Sequence, residues 1–245
     1  MSLGLLRAIF ITDPLIVLAT VVMGLINIPV SFFDHDGRKQ IALARTWARI
    51  LLYVAGVRVR VEGLEKIDPA GSYVFASNHA SYMDSPVVLA QIPVQFRFLA
   101  KIELFKIPLL GDHLKRAGHI PVPRDDPRAA VKTLGEAARA IQQRAISLLI
   151  FPEGGRTLTD LQPFKEGAAY IAIKAGVPVV PLGLRGTFAI LPRGSVNVRS
   201  GHVTLHVGEP IPTKDLSLRD RGALTELLHQ RVGELLGEPS YTQTK

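Results

Sequence analysis

The sequence predicts an α/β protein, a mainly parallel sheet flanked by helices, with an N-terminal hydrophobic helical membrane segment. Three observations predict it. Strand-like apolar runs alternate with helix-like segments over most of the chain. The chain has 245 residues, 47% of them hydrophobic, enough for one substantial core and short for two. Residues 14–33 form an uncharged apolar run, "PLIVLATVVMGLINIPVSFF", about as long as a bilayer-spanning helix.

Within that run Pro14 suits a first helical turn. Gly24, Asn27 and Pro29 sit in its second half, where Pro29 interrupts the backbone ladder. Two geometries follow: a clean span, or a helix that enters the bilayer and turns back. A cleaved signal peptide fits less well, because the leading region has only Arg7 and no A-x-A site directly follows the run. A buried core helix is the plain alternative. Next, Leu43, Trp47, Ile50 and Val54 recur at helical spacing on one face, and Arg38, Arg45 and Arg49 fall on another. Tryptophan beside a basic stripe suits an interfacial helix; an ordinary surface helix has the same pattern. Beside the uncharged run, membrane attachment is the better reading. Lys and Arg crowd residues 38–60, so that, if the run spans, the rest of the chain is expected on the cytoplasmic side of an inner membrane. The organisation expected is membrane-associating helices over 1–55, a body over 56–237 and a flexible tail over 238–245.

In the body, strand-like runs cover 73–77, 96–100, 118–122, 147–151, 177–184 and 202–208. Helix-like segments lie near 84–91, 127–144, 165–175 and 216–236, with Val131, Leu134, Ala138 and Ile141 as the apolar stripe of the second. The formal charge is +8, so polyanions are the expected partners. A mean hydropathy of +0.23 alongside that charge favours membrane lipids over nucleic acid. The chain has no cysteine, which excludes disulfides, a thiolate nucleophile and Cys-bound zinc.

In folds of this class functional groups gather where strands end and helices begin. Two strand ends carry polar residues directly after an apolar run: "SYVFASNHASYMD" and "SLLIFPEGGRT". In the first, positions five apart on an ideal helix lie about 140° apart, so His79 and Asp84 meet only if His79 is in the loop before the helix. Ser81 and Asp84 have capping-box spacing and could be no more than a helix start. That leaves Asn78 and His79 unexplained. A loop histidine held by Asp84 would keep one ring nitrogen as donor and free the other to take a proton from a hydroxyl. In the second, Pro152 stops the strand and two glycines allow close backbone approach. Arg156 offers a fork of donors suited to phosphate, and a turn carrying a Glu153–Arg156 surface pair is the alternative.

Taken together and in this order, the motifs resemble those of the 1-acylglycerol-3-phosphate acyltransferase family of glycerolipid acyltransferases. Its N-H-x-S-x-x-D motif reads Asn78-His79-Ala80-Ser81-Tyr82-Met83-Asp84. Its F-P-E-G-T-R-S motif reads Phe151-Pro152-Glu153-Gly154-Gly155-Arg156-Thr157. "FLAKIELFKIPLLG" matches an intervening segment through Lys101, Glu103, Pro108 and Gly111. "GHIPVPRD" matches a second motif through Gly118 and Arg124, and "GVPVVPLGL" a fourth through Pro178 and Pro181.

The resemblance implies a membrane-associated O-acyltransferase with His79 as general base and Asp84 as its orienting partner. Glu153, Gly154 and Arg156 would bind the acceptor, with Arg124 and Lys101 as further contacts for its phosphate. Asn78 and Ser81 would be structural or capping residues. It implies no cofactor and no metal, with acyl-CoA or acyl carrier protein as co-substrate. The implied acceptor is a lysophospholipid, foremost 1-acyl-sn-glycerol 3-phosphate giving phosphatidic acid. Glycerol 3-phosphate, another lysophospholipid or a lyso-aminolipid is the alternative, and a non-catalytic membrane-binding module a remote one. Gly155 stands where the family usually has threonine, and Pro123 where an acidic residue usually precedes the arginine.

Overall fold

The fold is taken from a computed structural model that describes residues 3–123, 126–156, 160–192 and 194–237. The expected tail over 238–245 lies outside those residues. Among them are seven strands: β1 (Val57–Glu62), β2 (Val74–Ser77), β3 (Phe96–Lys101), β4 (Ile120–Val122), β5 (Ser147–Ile150), β6 (Val179–Arg185) and β7 (Gly201–Val207). They form one sheet in the order β1-β7-β6-β2-β5-β3-β4. Every neighbouring pair is parallel except β6 and β7. The mainly parallel sheet expected from the sequence is therefore present, with one antiparallel step near an edge.

Strand period explains the two faces. In β2 and β5 all four residues are buried, the pattern of strands covered on both sides. Phe75 and Leu149 point to one core, and Val74, Ala76, Leu148 and Ile150 to the other. β1 and β7 alternate instead, with Val57, Val59 and Val61 inward and Arg58 and Arg60 outward. The first core is closed by α3 (Arg38–Ala55) and α4 (Asp84–Gln91). The second is closed by α6 (Pro127–Arg144), α7 (Gly167–Ala175) and α9 (Arg221–Leu236). α6 starts where Asp126 accepts hydrogen bonds from the amides of Arg128 and Ala129, with Pro127 at its first position. Its buried stripe is Leu134, Ala137, Ala138 and Ile141; Val131, expected on it, faces solvent. Short helices α5 (Leu110–Arg116) and α8 (Thr187–Ile190) complete the body.

At the N-terminus α1 (Leu3–Arg7) continues through a π-helical turn into α2 (Asp13–Phe32). Within the helical stretch Gly4–Phe32 an 18-residue window reaches a mean hydropathy of 2.3, and almost none of that window is buried. Pro29 does not end α2: it sits in the last helical turn, and the helix runs on to Phe32. α2 then turns through residues 33–37 and α3 returns along it. α3 has two apolar faces rather than one. Ile41, Ala48, Leu51, Leu52 and Ala55 enter the core. The expected face, with Trp47, meets α2, where Trp47 Nε1 donates to Thr20 Oγ1 at 3.1 Å. Arg45 leaves the expected basic stripe and donates to the carbonyls of Ile92 and Val94 at the end of α4, where a cation satisfies orphan acceptors.

A buried polar cluster ties this hairpin to the sheet. Arg97 of β3 is buried and donates to the carbonyls of Asp36 and Phe96. Burial lowers its pKa to about 10, so it stays charged at neutral pH. His119 Nδ1 accepts from Phe98 N at 2.8 Å, and His113 packs 5.7 Å from it. Burial first, and Arg97 second, lower His113 from 6.5 to about 4. His113 is thus neutral in the fold and protonates more readily when unfolded. Its contribution is complete above about pH 6.5 and is lost as pH falls toward 4. We expect the urea midpoint to drop between pH 7 and pH 4.5, with His113 supplying on the order of 1–3 kcal/mol. His113→Gln should reduce that drop and leave the part due to buried His119, whose pKa burial also lowers; an unchanged pH slope would remove His113 as a source.

Candidate active site

β2, β5 and β3 lie side by side and parallel, so their C-terminal ends share one edge of the sheet. That edge carries the residues singled out from the sequence. After Ser77 the chain leaves the sheet, yet Asn78 keeps contact with it. Its Nδ2 donates to the Leu184 carbonyl at 3.0 Å, and its Oδ1 accepts from Leu184 N at 2.8 Å. Asn78 thus extends the β2–β6 pairing by one side chain and fixes where His79 stands; it is not a helix cap.

His79 lies in the loop, as the spacing requires. Its Nδ1 is 2.8 Å from Asp84 Oδ2. The same oxygen accepts from the amides of Ala80 and Ser81, each at 2.8 Å. Asp84 is fully buried, while the His79 side chain keeps 19% of its surface. Against a carboxylate oxygen already accepting two amides, Nδ1 carries the proton, which leaves the Nε2 lone pair open. Phe151 stacks on the imidazole at 4.0 Å between ring centroids, 16° from parallel. The ring is therefore held by a hydrogen bond at one edge and an aromatic plane on one face.

Ser81 only partly fits its expected capping role. Its Oγ accepts from Met83 N at 3.1 Å and donates to the Leu191 carbonyl at 2.9 Å. The regular helix α4 begins at Asp84, with Met83 as its cap residue. Ser81 thus closes the turn before α4, and Asp84 reaches back to the Ser81 amide as in a capping box. Cap and dyad are one structure.

The second strand end folds onto the first. Glu153 Oε1 accepts from the His79 backbone amide at 2.6 Å, and Oε2 accepts from Gln162 N at 3.1 Å. Read from the sequence as an acceptor-binding group, Glu153 also straps the histidine loop to the turn after β5. Gly154 allows that turn: its φ is +79°, and a Cβ there would stand 2.8 Å from Lys165 Nζ. At Gly155 a Cβ would meet nothing within 4 Å, so packing does not exclude the threonine usual in the family. The Arg156 guanidinium lies over the Tyr82 ring, 3.2 Å from its centroid.

Lys101 ends β3, two strands from the histidine loop, and faces Glu103 at 3.6 Å. Arg124 lies outside the described residues. Sequence reasoning passed over Phe151, Tyr82 and Lys165. Phe151 and Tyr82 occupy motif positions, and only tertiary packing reveals their ring contacts; Lys165 comes from a separate segment. Among the described residues no group of three or more His, Asp or Glu is placed to hold a metal ion.

The acyltransferase family profile matches residues 58–185, which hold both strand-end motifs, and the chain belongs to that family of enzymes. A 1-acyl-sn-glycerol-3-phosphate acyltransferase of Cocos nucifera is 34% identical over 182 residues, covering 74% of this chain and 58% of that protein. The enzyme of that name from Limnanthes douglasii is 30% identical over 226 residues, covering 90% of this chain and 79% of its own. The chain thus spans little more than half of the coconut relative and most of the other. The crystal structure of the 1-acyl-sn-glycerophosphate (LPA) acyltransferase PlsC from Thermotoga maritima superposes with a TM-score of 0.77 at 27% identity, covering 97% of this chain and 98% of that one.

Proposed function

We propose that the protein transfers a fatty acyl group from an acyl thioester, acyl-CoA or acyl carrier protein, to the free hydroxyl of 1-acyl-sn-glycerol 3-phosphate, giving phosphatidic acid. The observation that carries this reading is the imidazole of His79, tied at Nδ1 to buried Asp84 and open at Nε2. His79 Nε2 takes the hydroxyl proton as the oxygen attacks the thioester carbonyl. The C–S bond then breaks, and the imidazolium returns the proton to the departing thiolate. Asp84 offsets the imidazolium charge in between. No enzyme nucleophile enters the sequence of bonds. The relatives' names supply the acceptor, and the basic charge of the chain agrees with an anionic one. The test is an assay of purified protein with labelled acyl-CoA and acyl carrier protein against a panel of lysolipids and glycerol 3-phosphate. A stronger rate on another acceptor would replace lysophosphatidate in this reading.

Arg156 is proposed to hold the acceptor phosphate, with Tyr82 keeping its planar fork at the mouth of the site. Arg156→Ala should raise the acceptor KM about 10- to 100-fold with little change in kcat. Tyr82→Leu should raise it about threefold, Tyr82→Phe should restore it, and Tyr82→Leu should add nothing in the Arg156→Ala background. An additive double variant would separate the two residues.

The membrane reading rests on the exposed apolar length of α1 and α2. α2 touches the body along its whole length. Asp13 accepts from Val198 N, Thr20 meets Trp47, Gly24 faces Leu109 and Ser31 accepts from Arg116. A helix held at four levels does not leave the body to span a bilayer alone. We therefore place α1 and α2 along one leaflet, with α3 held between α2 and the core of the body, and the body on the cytoplasmic side, as the basic residues over 38–60 suggest.

A further inference from the structure

We propose that the segment over 102–110, which joins β3 to α5, is a second membrane-contact element that seats on an anionic lipid surface beside α2. The proposal rests on the membrane reading above and adds a separate surface to it. Ile102, Leu104, Ile107, Leu109 and Leu110 each expose between 36% and 45% of their surface within nine residues. A soluble surface rarely gathers that many branched apolar side chains in one short loop.

Their outward direction is built in. Phe105 is buried and pins the middle of the segment, so its neighbours point away from the body. Gly111 lets α5 close on this turn, since a Cβ there would stand 2.3 Å from the Phe105 carbonyl. Leu109 occupies the centre of a γ-turn, with φ +63°, ψ −52° and Leu110 N donating to the Pro108 carbonyl at 2.7 Å. Positive φ is unfavourable for leucine, and strained backbone of this kind clusters at functional positions. Here it presents the apolar tip of the loop.

Continuity and charge identify the occupant. The Leu109 side chain packs beside Gly24, so the exposed apolar faces of the loop and of α2 form one surface. Exposed Lys106, Lys115 and Arg116 flank it, with Arg116 stacked over Phe32 at 5.0 Å. Of the acidic residues in the segment and in α5, Glu103 faces Lys101 and Asp112 is exposed. Apolar tips within a basic rim match a bilayer of anionic phospholipid. The segment also begins at the end of β3, two strands from the His79 loop and so about 10 Å across the sheet. Seating it holds the strand-end site against the headgroups, where a lysolipid hydroxyl can enter without leaving the membrane.

Because the chain has no cysteine, one can be placed at will. Ile107→Cys, Leu18→Cys on α2 and Lys132→Cys on α6 would each carry an environment-sensitive fluorophore. On vesicles of phosphatidylcholine with phosphatidylglycerol, the Ile107 probe should shift to the blue and be quenched by nitroxide at shallow depth. The shift should weaken in pure phosphatidylcholine, the Leu18 probe should shift in both, and the Lys132 probe in neither. A silent Ile107 probe beside a shifted Leu18 probe overturns the proposal and leaves the anchor standing. Silence at both overturns the membrane reading as well. An Ile107 shift that follows protein concentration without vesicles assigns the face to a second copy and also overturns it. The double variant Leu104→Gln/Ile107→Gln should lose about fivefold in rate on vesicle-held lysophosphatidate while keeping its rate on a monomeric short-chain acceptor. Equal rates on both acceptors overturn the proposal.

Discussion

His79→Ala is expected to lower the acyl-transfer rate by about 10²- to 10⁴-fold, the range that a positioned general base supplies. The fold should survive, because the imidazole bonds Asp84 and stacks on Phe151, while the loop is held by its backbone amides and by Asn78. Asp84→Asn is the sharper probe. An asparagine oxygen can accept from Nδ1 and from the amides of Ala80 and Ser81 as Oδ2 does now. Its amide nitrogen would fall at Oδ1, which is buried without a hydrogen-bond partner among the described residues. Geometry is therefore largely kept, and the negative charge that stabilises the imidazolium is lost. We expect a fall in kcat of about 10²-fold or more with the acceptor KM little changed. Comparable rates for wild type and His79→Ala, with both proteins folded by circular dichroism, would sink the dyad.

The sequence made this pair legible through a simple constraint. Five residues put His79 and Asp84 on different faces of a helix, so their meeting required a loop followed by a helix start, and that is how the chain folds. What fixes the loop was not legible. Leu184 and Leu191 lie more than 100 positions away and act through backbone atoms, which carry no residue signature. The glycine-rich turn after β5 marks Glu153 as a group that projects near a ligand, and nothing in the local sequence signals a backbone contact. Its bond to the His79 amide depends on β2 and β5 being neighbours. Apolar runs marked the inner strands well, since strands buried on both faces need no alternation. They could not reveal that β7 reverses direction, because parallel and antiparallel neighbours bury the same residue types. β1 falls outside the strand-like runs because "VRVRVE" alternates valine with charged residues and forms no continuous apolar run. The Arg45 side chain was misplaced because helical phase gives a direction on the wheel and not the distance to a neighbouring carbonyl.

Removing residues 1–36 should yield a folded body, less stable because buried Arg97 loses the Asp36 carbonyl, with weakened membrane attachment, whereas removing residues 1–55 should yield no folded protein. The two truncations differ by α3, whose outer face meets α2 and whose inner face belongs to the core of the body. Ile41, Leu51 and Leu52 are almost wholly buried there. At about 1.5–3 kcal/mol each, their loss removes about 5–9 kcal/mol before Ala48 and Ala55 are counted. A domain of this size has about 5–15 kcal/mol in total. Arg45 would go too, leaving the carbonyls of Ile92 and Val94 at the end of α4 without their donor. α4 carries Asp84 at its first turn, so disorder there reaches the His79–Asp84 hydrogen bond directly. The measurements are far-UV circular dichroism, urea unfolding and flotation with anionic vesicles. A cooperative transition in the protein lacking residues 1–55 would show α3 to be dispensable to the core. Full flotation of the protein lacking residues 1–36 would move the main attachment from the N-terminal helix to the body, where the segment over 102–110 is the surface able to supply it.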